Sequence, residues 1–187
     1  MGYGRLLPSG LLRERPEGLA RADLLVLTHA DSSSDVEVVK RLLRRYAPTA
    51  PIALAVHTPL ALVNPRREER LPVSHLNGQR LVAFCGIANP KRFETTLHRL
   101  GAVISASHVY PDHHGYSGAD LDALSRSASK TRAAFMVTTE KDMVKLARLD
   151  IEGMLPPVYA LAISLELLEG EEALDRMLAD LPGAIPS

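Results

Sequence analysis

Six short, continuous apolar runs punctuate this chain, and all but the second give way to a stretch with helical spacing. That alternation limits the fold more than any other feature. The runs are Asp23–Thr28, Ile52–His57, Arg80–Cys85, Ala102–Ala106, Ala133–Val137 and Pro157–Ile163. Each reads as a strand, and the first, short and continuously apolar, reads as a buried parallel one. Between them, Val39, Leu42, Leu43 and Tyr46 recur at helical spacing, as do Phe93, Leu97 and Leu100, and then Leu121, Leu124 and Ala128. Ala173, Leu174, Met177, Leu178 and Leu181 mark a last helix. Crossovers this short demand right-handed parallel connections, which predicts an α/β fold: a mostly parallel sheet with helices on both faces.

Local signals agree with this pattern. Asn89 and Pro90 are a good N-cap and first helical residue, and Gly101 closes the same helix. Thr139, with Asp142 three residues on, can cap the helix after the fifth strand. The loop His29–Ser34 can cap the helix that carries Val39. The segment from Thr58 to Gln79 is irregular, with Pro59, Pro65, Pro72 and the charged run Arg66–Arg70, and it fits a hairpin, a linker or a surface excursion equally well. The chain opens on a glycine- and proline-rich loop, Gly2–Gly10, with no strand or helix before it. Such loops normally join two elements. We therefore expect residues 1–22 to be a loop segment left from a preceding domain, and 23–187 to form an α/β domain.

Composition excludes several classes. The charges balance at 22 against 22, so bulk electrostatics would not hold a nucleic acid. Cys85 is the single cysteine, lies in an apolar run and packs as a small hydrophobe. No apolar stretch is long enough to span a bilayer.

Chemistry concentrates in Val109–Ser117, where Asp112, His113 and His114 follow a strand and precede a helix. Open α/β sheets bind ligands at the carboxyl ends of their strands. An imidazole beside a carboxylate suits proton handling or metal ligation. The plain alternative is a turn-capping aspartate with two solvated histidines. Thr139, Glu140, Lys141 and Asp142 at another strand end either cap a helix or face the same crevice as Asp112. Arg5 and Arg13 flank the opening loop and offer bidentate donors to an anion, or are ordinary surface arginines. The turn after Cys85 presents one glycine, Gly86, as a weak phosphate-binding signal.

Three motifs stand in order: Gly4–Glu14, Phe84–Phe93 and Thr139–Lys145, with Asp112-His113-His114 between the last two. In this the chain resembles the tetraacyldisaccharide 4′-kinases, the lipid A kinases of Gram-negative envelopes. The resemblance runs over essentially the whole chain but only over the carboxyl-terminal half or so of the family. It implies a P-loop-kinase-like architecture and transfer of the ATP γ-phosphoryl, with Mg²⁺, to the 4′-hydroxyl of the lipid A disaccharide precursor. It also implies work at the cytoplasmic face of the inner membrane. By position, His113 matches the family's catalytic histidine, with Asp112 beside it, and Arg13 matches an arginine near the transferred phosphate. The surrounding stretch departs from the family's at Ser9 and Leu11 but keeps that arginine. Arg5, Arg92, Glu140 and Lys141 are candidate substrate-binding residues, with structural duty an equal reading for Arg92, Glu140 and Lys141.

The sequence contains no Gly-x-x-x-x-Gly-Lys-[Ser/Thr] loop and none of the family's carboxylate-bearing segments. The main ATP and Mg²⁺ contacts are therefore absent, and an incomplete, inactive kinase is expected. Two other readings compete. A metal-dependent phosphoesterase would recruit His29, Asp31 and His108 to Asp112 and its histidines, and a non-catalytic domain would bind glycolipid without ATP.

Overall fold

The computed structural model describes residues 5–179 apart from 11, 31, 32, 148, 150 and 152; the side chains of 33–35 also lie outside it. Gly4, Leu11, Asp31 and Leu181, all named above, are outside the described residues. The chain forms two compact units, one of residues 1–58 with 165–187 and one of residues 59–164. Residues 1–22 fall in the first unit together with the elements that follow them.

In the first unit a 3-10 turn at Pro16–Arg21 precedes β1 (Leu25–Thr28) and α1 (Ser33–Tyr46). The start of β2 (Ile52–Asn64) pairs parallel with β1, Leu25 beside Ile52 and Thr28 beside Ala55. Leu25, Leu43, Ala47 and Ala50 form a small core, packed by Leu19, Ala22, Val39 and Ile52. The helical stripe read from Val39 and Leu43 is thus the buried face of α1. Arg44 closes that helix by donating to the Ala50 carbonyl at 2.6 Å. The second half of β7 (Val158–Glu169) and α5 (Glu171–Ala179) complete the unit. Gly170 joins them at φ 86°, where a Cβ would stand 2.6 Å from the Ala53 Cα. Both the backbone angle and the close approach require glycine there.

The second unit holds β3 (Glu69–Pro72), β4 (Arg80–Cys85), α2 (Pro90–Arg99), β5 (Val103–Val109), α3 (Gly118–Thr131), β6 (Phe135–Thr139) and α4 (Glu140–Leu146). Here β7, β6, β4 and β5 lie side by side, all parallel. The end of β2 turns back through Asn64, whose Oδ1 accepts from the Arg66 and Arg67 amides, and pairs antiparallel with β3. The irregular segment is therefore a hairpin followed by a 3-10 turn at Val73–Leu76.

The centre of this unit is β4, buried on both faces. Val82 and Phe84 pack with Leu121, Leu124 and Ala128 of α3 and Met143 and Leu146 of α4. Leu81, Ala83 and Cys85 point the other way, to Phe93 and Leu97 of α2. Alternation along one strand so divides the unit into two cores with helices on either side, as the apolar runs predict. Cys85 is buried within this packing. Burial, with the Asp142 carboxylate second, pushes its thiol up to about 11.

Candidate functional site

The loops after β4 and β5 and the direct junction of β6 with α4 meet at the carboxyl edge of the parallel strands of the second unit. Tyr110 extends the β5 ladder by donating its amide to the Cys85 carbonyl at 2.9 Å. Pro111 has no amide proton and stops the ladder. The His114 amide closes a turn on the Pro111 carbonyl at 3.0 Å, and His113 occupies the left-handed region at φ 63°. Ordinary side chains adopt that conformation only where surroundings hold it, and such positions gather at functional sites. Ser117 then caps α3 in a full capping box with Asp120.

The two histidines have different surroundings. His114 is stacked on Tyr110, with ring centroids 4.6 Å apart, and meets Tyr116 edge-on at 5.0 Å. Its Nε2 lies 3.2 Å from Asp120 Oδ2. It packs as part of the loop's framework. His113 by contrast is 77% exposed on its side chain, with Nε2 3.7 Å from Asp112 Oδ2. Asp112 also accepts from the His113 amide at 3.0 Å and from Lys141 Nζ at 3.1 Å. The Lys141 ammonium holds the Asp112 carboxyl below the usual carboxylate range, helped by His113. A carboxyl depressed in the folded state favours folding above its unfolded pKa, and that contribution disappears as pH falls through the lowered folded value. The pair is 48% and 38% exposed, so solvent screens it and the contribution is small. Its consequence is chemical instead: a fixed negative charge beside an exposed imidazole at neutral pH.

A second carboxylate organises the loops from below. Asp142 is fully buried, with no exposed surface. Its Oδ2 accepts from the Gly86 amide at 2.9 Å and the Thr139 hydroxyl at 2.8 Å, and its Oδ1 from Lys145 Nζ at 2.8 Å. Thr139 Oγ1 in turn caps α4 through the Asp142 amide, as the sequence predicts. The Gly86 amide is therefore committed to a carboxylate and not offered to a phosphate. A Cβ at Gly86 would stand 3.1 Å from the Pro111 carbonyl oxygen, and 3.4 Å from Asp142 Oδ1 and from His114 Cβ. Gly86→Ala should cost about 1 kcal/mol by overpacking. Thermal denaturation should show the loss, and an unchanged midpoint would remove this contact from the account. Nearby, the Tyr116 and Thr138 hydroxyls are buried without a hydrogen-bond partner among the described residues. Burial, with the Asp142 carboxylate nearby, raises the Tyr116 pKa.

Of the residues singled out in the sequence, Asp112, His113 and Lys141 stand together. Glu140 turns elsewhere, its Oε2 accepting from the Ile163 amide at 3.1 Å. Arg92 sits in the first turn of α2, its amide donating to the Asn89 side chain at 3.2 Å. Arg5 and Arg13 belong to the first unit, in a compact loop where the Leu12 amide reaches the Arg5 carbonyl at 3.1 Å. Sequence reasoning read Asp142 only as a capping residue or a crevice-facing charge and missed its central place. The available signal was Asp142 and Lys145 three residues apart on one helix face.

A sequence profile of the tetraacyldisaccharide-1-P 4′-kinases matches residues 1–182. The chain belongs to this family. A tetraacyldisaccharide 4′-kinase of Anaeromyxobacter sp. (strain K) is 36% identical to it, over all of this chain and 50% of its own length. Another, of Syntrophus aciditrophicus (strain SB), is 37% identical over 89% of this chain and 46% of its own. In three dimensions the chain is similar to LpxK from Aquifex aeolicus, crystallised in complex with ATP, at 26% identity and a TM-score of 0.64. That match covers 95% of this chain and 48% of the other. The chain thus spans about half the length of the curated relatives it matches. The P-loop-kinase-like α/β architecture follows from these matches together with the parallel strands described above.

Among the described residues these strand ends assemble no nucleotide or Mg²⁺ cradle. The Gly86 amide is already engaged, and no group of three or more His, Cys, Asp or Glu side chains converges among the described residues. Of the ligands the phosphoesterase reading would recruit, Asp31 lies outside the described residues, and His108 Nε2 pairs with the Ser127 hydroxyl at 2.9 Å. No helix among the described residues is long and apolar enough to cross a membrane.

Proposed function

We propose that this chain supplies the acceptor side of a tetraacyldisaccharide 4′-kinase. The reaction moves the γ-phosphoryl of ATP to the 4′-hydroxyl of the lipid A disaccharide precursor, with Mg²⁺, at the cytoplasmic face of the inner membrane. The observation that carries this reading is the exposed His113 imidazole beside an Asp112 carboxylate kept ionised by Lys141. His113 takes the proton of the attacking hydroxyl, and the Asp112 charge stabilises the imidazolium that results. Lys141 fixes the Asp112 carboxylate; Arg13 and Arg5 carry positive charge to the oxygens of the moving phosphoryl group, whose transfer depends on positioning and charge neutralisation. Arg92 serves as a further anion-binding group, and Glu140 acts on the substrate only through its hold on the Ile163 amide of β7. Residues 1–22 contribute as a catalytic-loop segment, and residues 23–187 carry the acceptor machinery.

Purified alone, the chain should transfer no phosphate from labelled ATP to the disaccharide 1-phosphate, since it has no P-loop motif. Fused behind the nucleotide-binding half of the Anaeromyxobacter relative, it should become active. A fusion that folds, binds ATP and remains inactive would sink the reading. Activity of the isolated chain would overturn the expected division of labour.

A further inference from the structure

Outside this site, the first unit brings two imidazoles together where β1 and β2 run parallel. His29 directly follows the last residue of β1, with φ at 63°, and His57 lies two residues beyond Ala55, the partner of Thr28. Their Nδ1 atoms are 3.1 Å apart. The ring centroids are 4.5 Å apart and the planes are tilted by 32°. Both side chains are exposed and neither joins the core of that unit.

A hydrogen bond between two exposed rings adds little to stability, because water competes for both groups. The same separation is also the bite of a chelate. Two metal–nitrogen bonds of about 2.0–2.1 Å span such a gap at an angle of about 100°, between the right angle of square-planar sites and the tetrahedral angle. We propose that His29 and His57 form a two-imidazole site for a divalent transition-metal ion of the Zn²⁺ or Cu²⁺ kind, bound through both Nδ1 atoms. Imidazole nitrogen favours these ions over Mg²⁺, so the site is separate from the metal of phosphoryl transfer.

The protons balance simply. In the neutral pair one ring carries its proton on Nδ1, and metal binding moves that proton to Nε2 of the same ring. If either ring is protonated, binding releases one proton to solvent. Among the described residues no third His, Cys, Asp or Glu joins the pair.

The test titrates the full chain with Cu²⁺ and reads the paramagnetic resonance spectrum, where two coordinated nitrogens give a characteristic splitting. One equivalent should bind with that signature. His29→Gln or His57→Gln should weaken binding by at least about tenfold, since the second imidazole acts intramolecularly. His113→Gln should leave it unchanged. In parallel, Zn²⁺ added to the ¹⁵N-labelled wild type should shift both Nδ1 resonances in long-range ¹H–¹⁵N spectra. A two-nitrogen signal that survives His57→Gln, or Zn²⁺ shifts confined to other histidines, would overturn the proposal. Failure to bind one equivalent would do the same.

Discussion

Turnover by the fused kinase should fall about 10²–10⁴-fold when His113 becomes alanine, the usual range for losing a positioned general base. The Michaelis constant for the disaccharide should barely move, because His113 acts on a proton and not on the sugar's affinity. The side chain is mostly exposed and packs in no core, so the variant should fold as the parent does. Asp112→Asn should also reduce turnover, by removing the charge that steadies the imidazolium. Lys141→Met leaves the carboxylate in place and should do less. It removes the main cause of the lowered Asp112 pKa, which should move back toward the ordinary carboxylate value. Single-turnover rates across the three variants, with ATP affinity as a control, would separate these effects. Equal turnover for His113→Ala and wild type would end the case for a general base here.

The other large effect is on stability. Asp142→Ala removes the acceptor of three donors at a fully buried position, stranding the Gly86 amide and the Thr139 hydroxyl and leaving Lys145 Nζ with the Gly86 carbonyl at 3.3 Å in place of its counter-charge. Breaking a buried charge pair while leaving a partner unmatched costs about 3 kcal/mol or more. In a unit of this size that lowers the melting temperature by roughly 10 °C. Asp142→Asn keeps one acceptor oxygen but turns a donor toward another donor, and should fall between alanine and wild type. Because Gly86 lies against Pro111 and His114, the amide resonances of residues 110–114 should move as well. Melting within about 1 °C of wild type would show that the three donors find other partners.

Much of the architecture was legible because burial leaves a simple mark. The Arg80–Cys85 run coincides with β4 residue for residue, since from Leu81 onward the strand is covered on both faces and must be apolar. The ends of β2 and β7 were not legible. Beyond His57 and Ile163 those strands mix proline, glutamate and exposed leucine, and only pairing with a neighbour keeps them extended. The hairpin could be read only as one of three alternatives for the same reason: Asn64 Oδ1 organises its turn through two amides, with no glycine to announce it. In the site, Asp112 and His113 could be read from one loop. The approach of Lys141 could only be raised as an alternative, since β5 and β6 are not neighbours and β4 lies between them. The stacking of His114 between aromatic rings depended on how the loop folds back on itself, which spacing alone does not encode.

The division of the chain also bears on its synthesis. Residues 59–164 are one uninterrupted stretch, while their companion unit is assembled from both sides of it. Lys40 pairs with Glu169 at 2.7 Å, Thr58 donates to Glu166 at 2.7 Å, and Gly170 lies on Ala53. A ribosome adding about 5–20 residues each second would therefore leave the segment made just before the middle piece waiting several seconds for its closing partners, while the middle piece matures first. For a nascent chain, birth order and folding order run opposite ways.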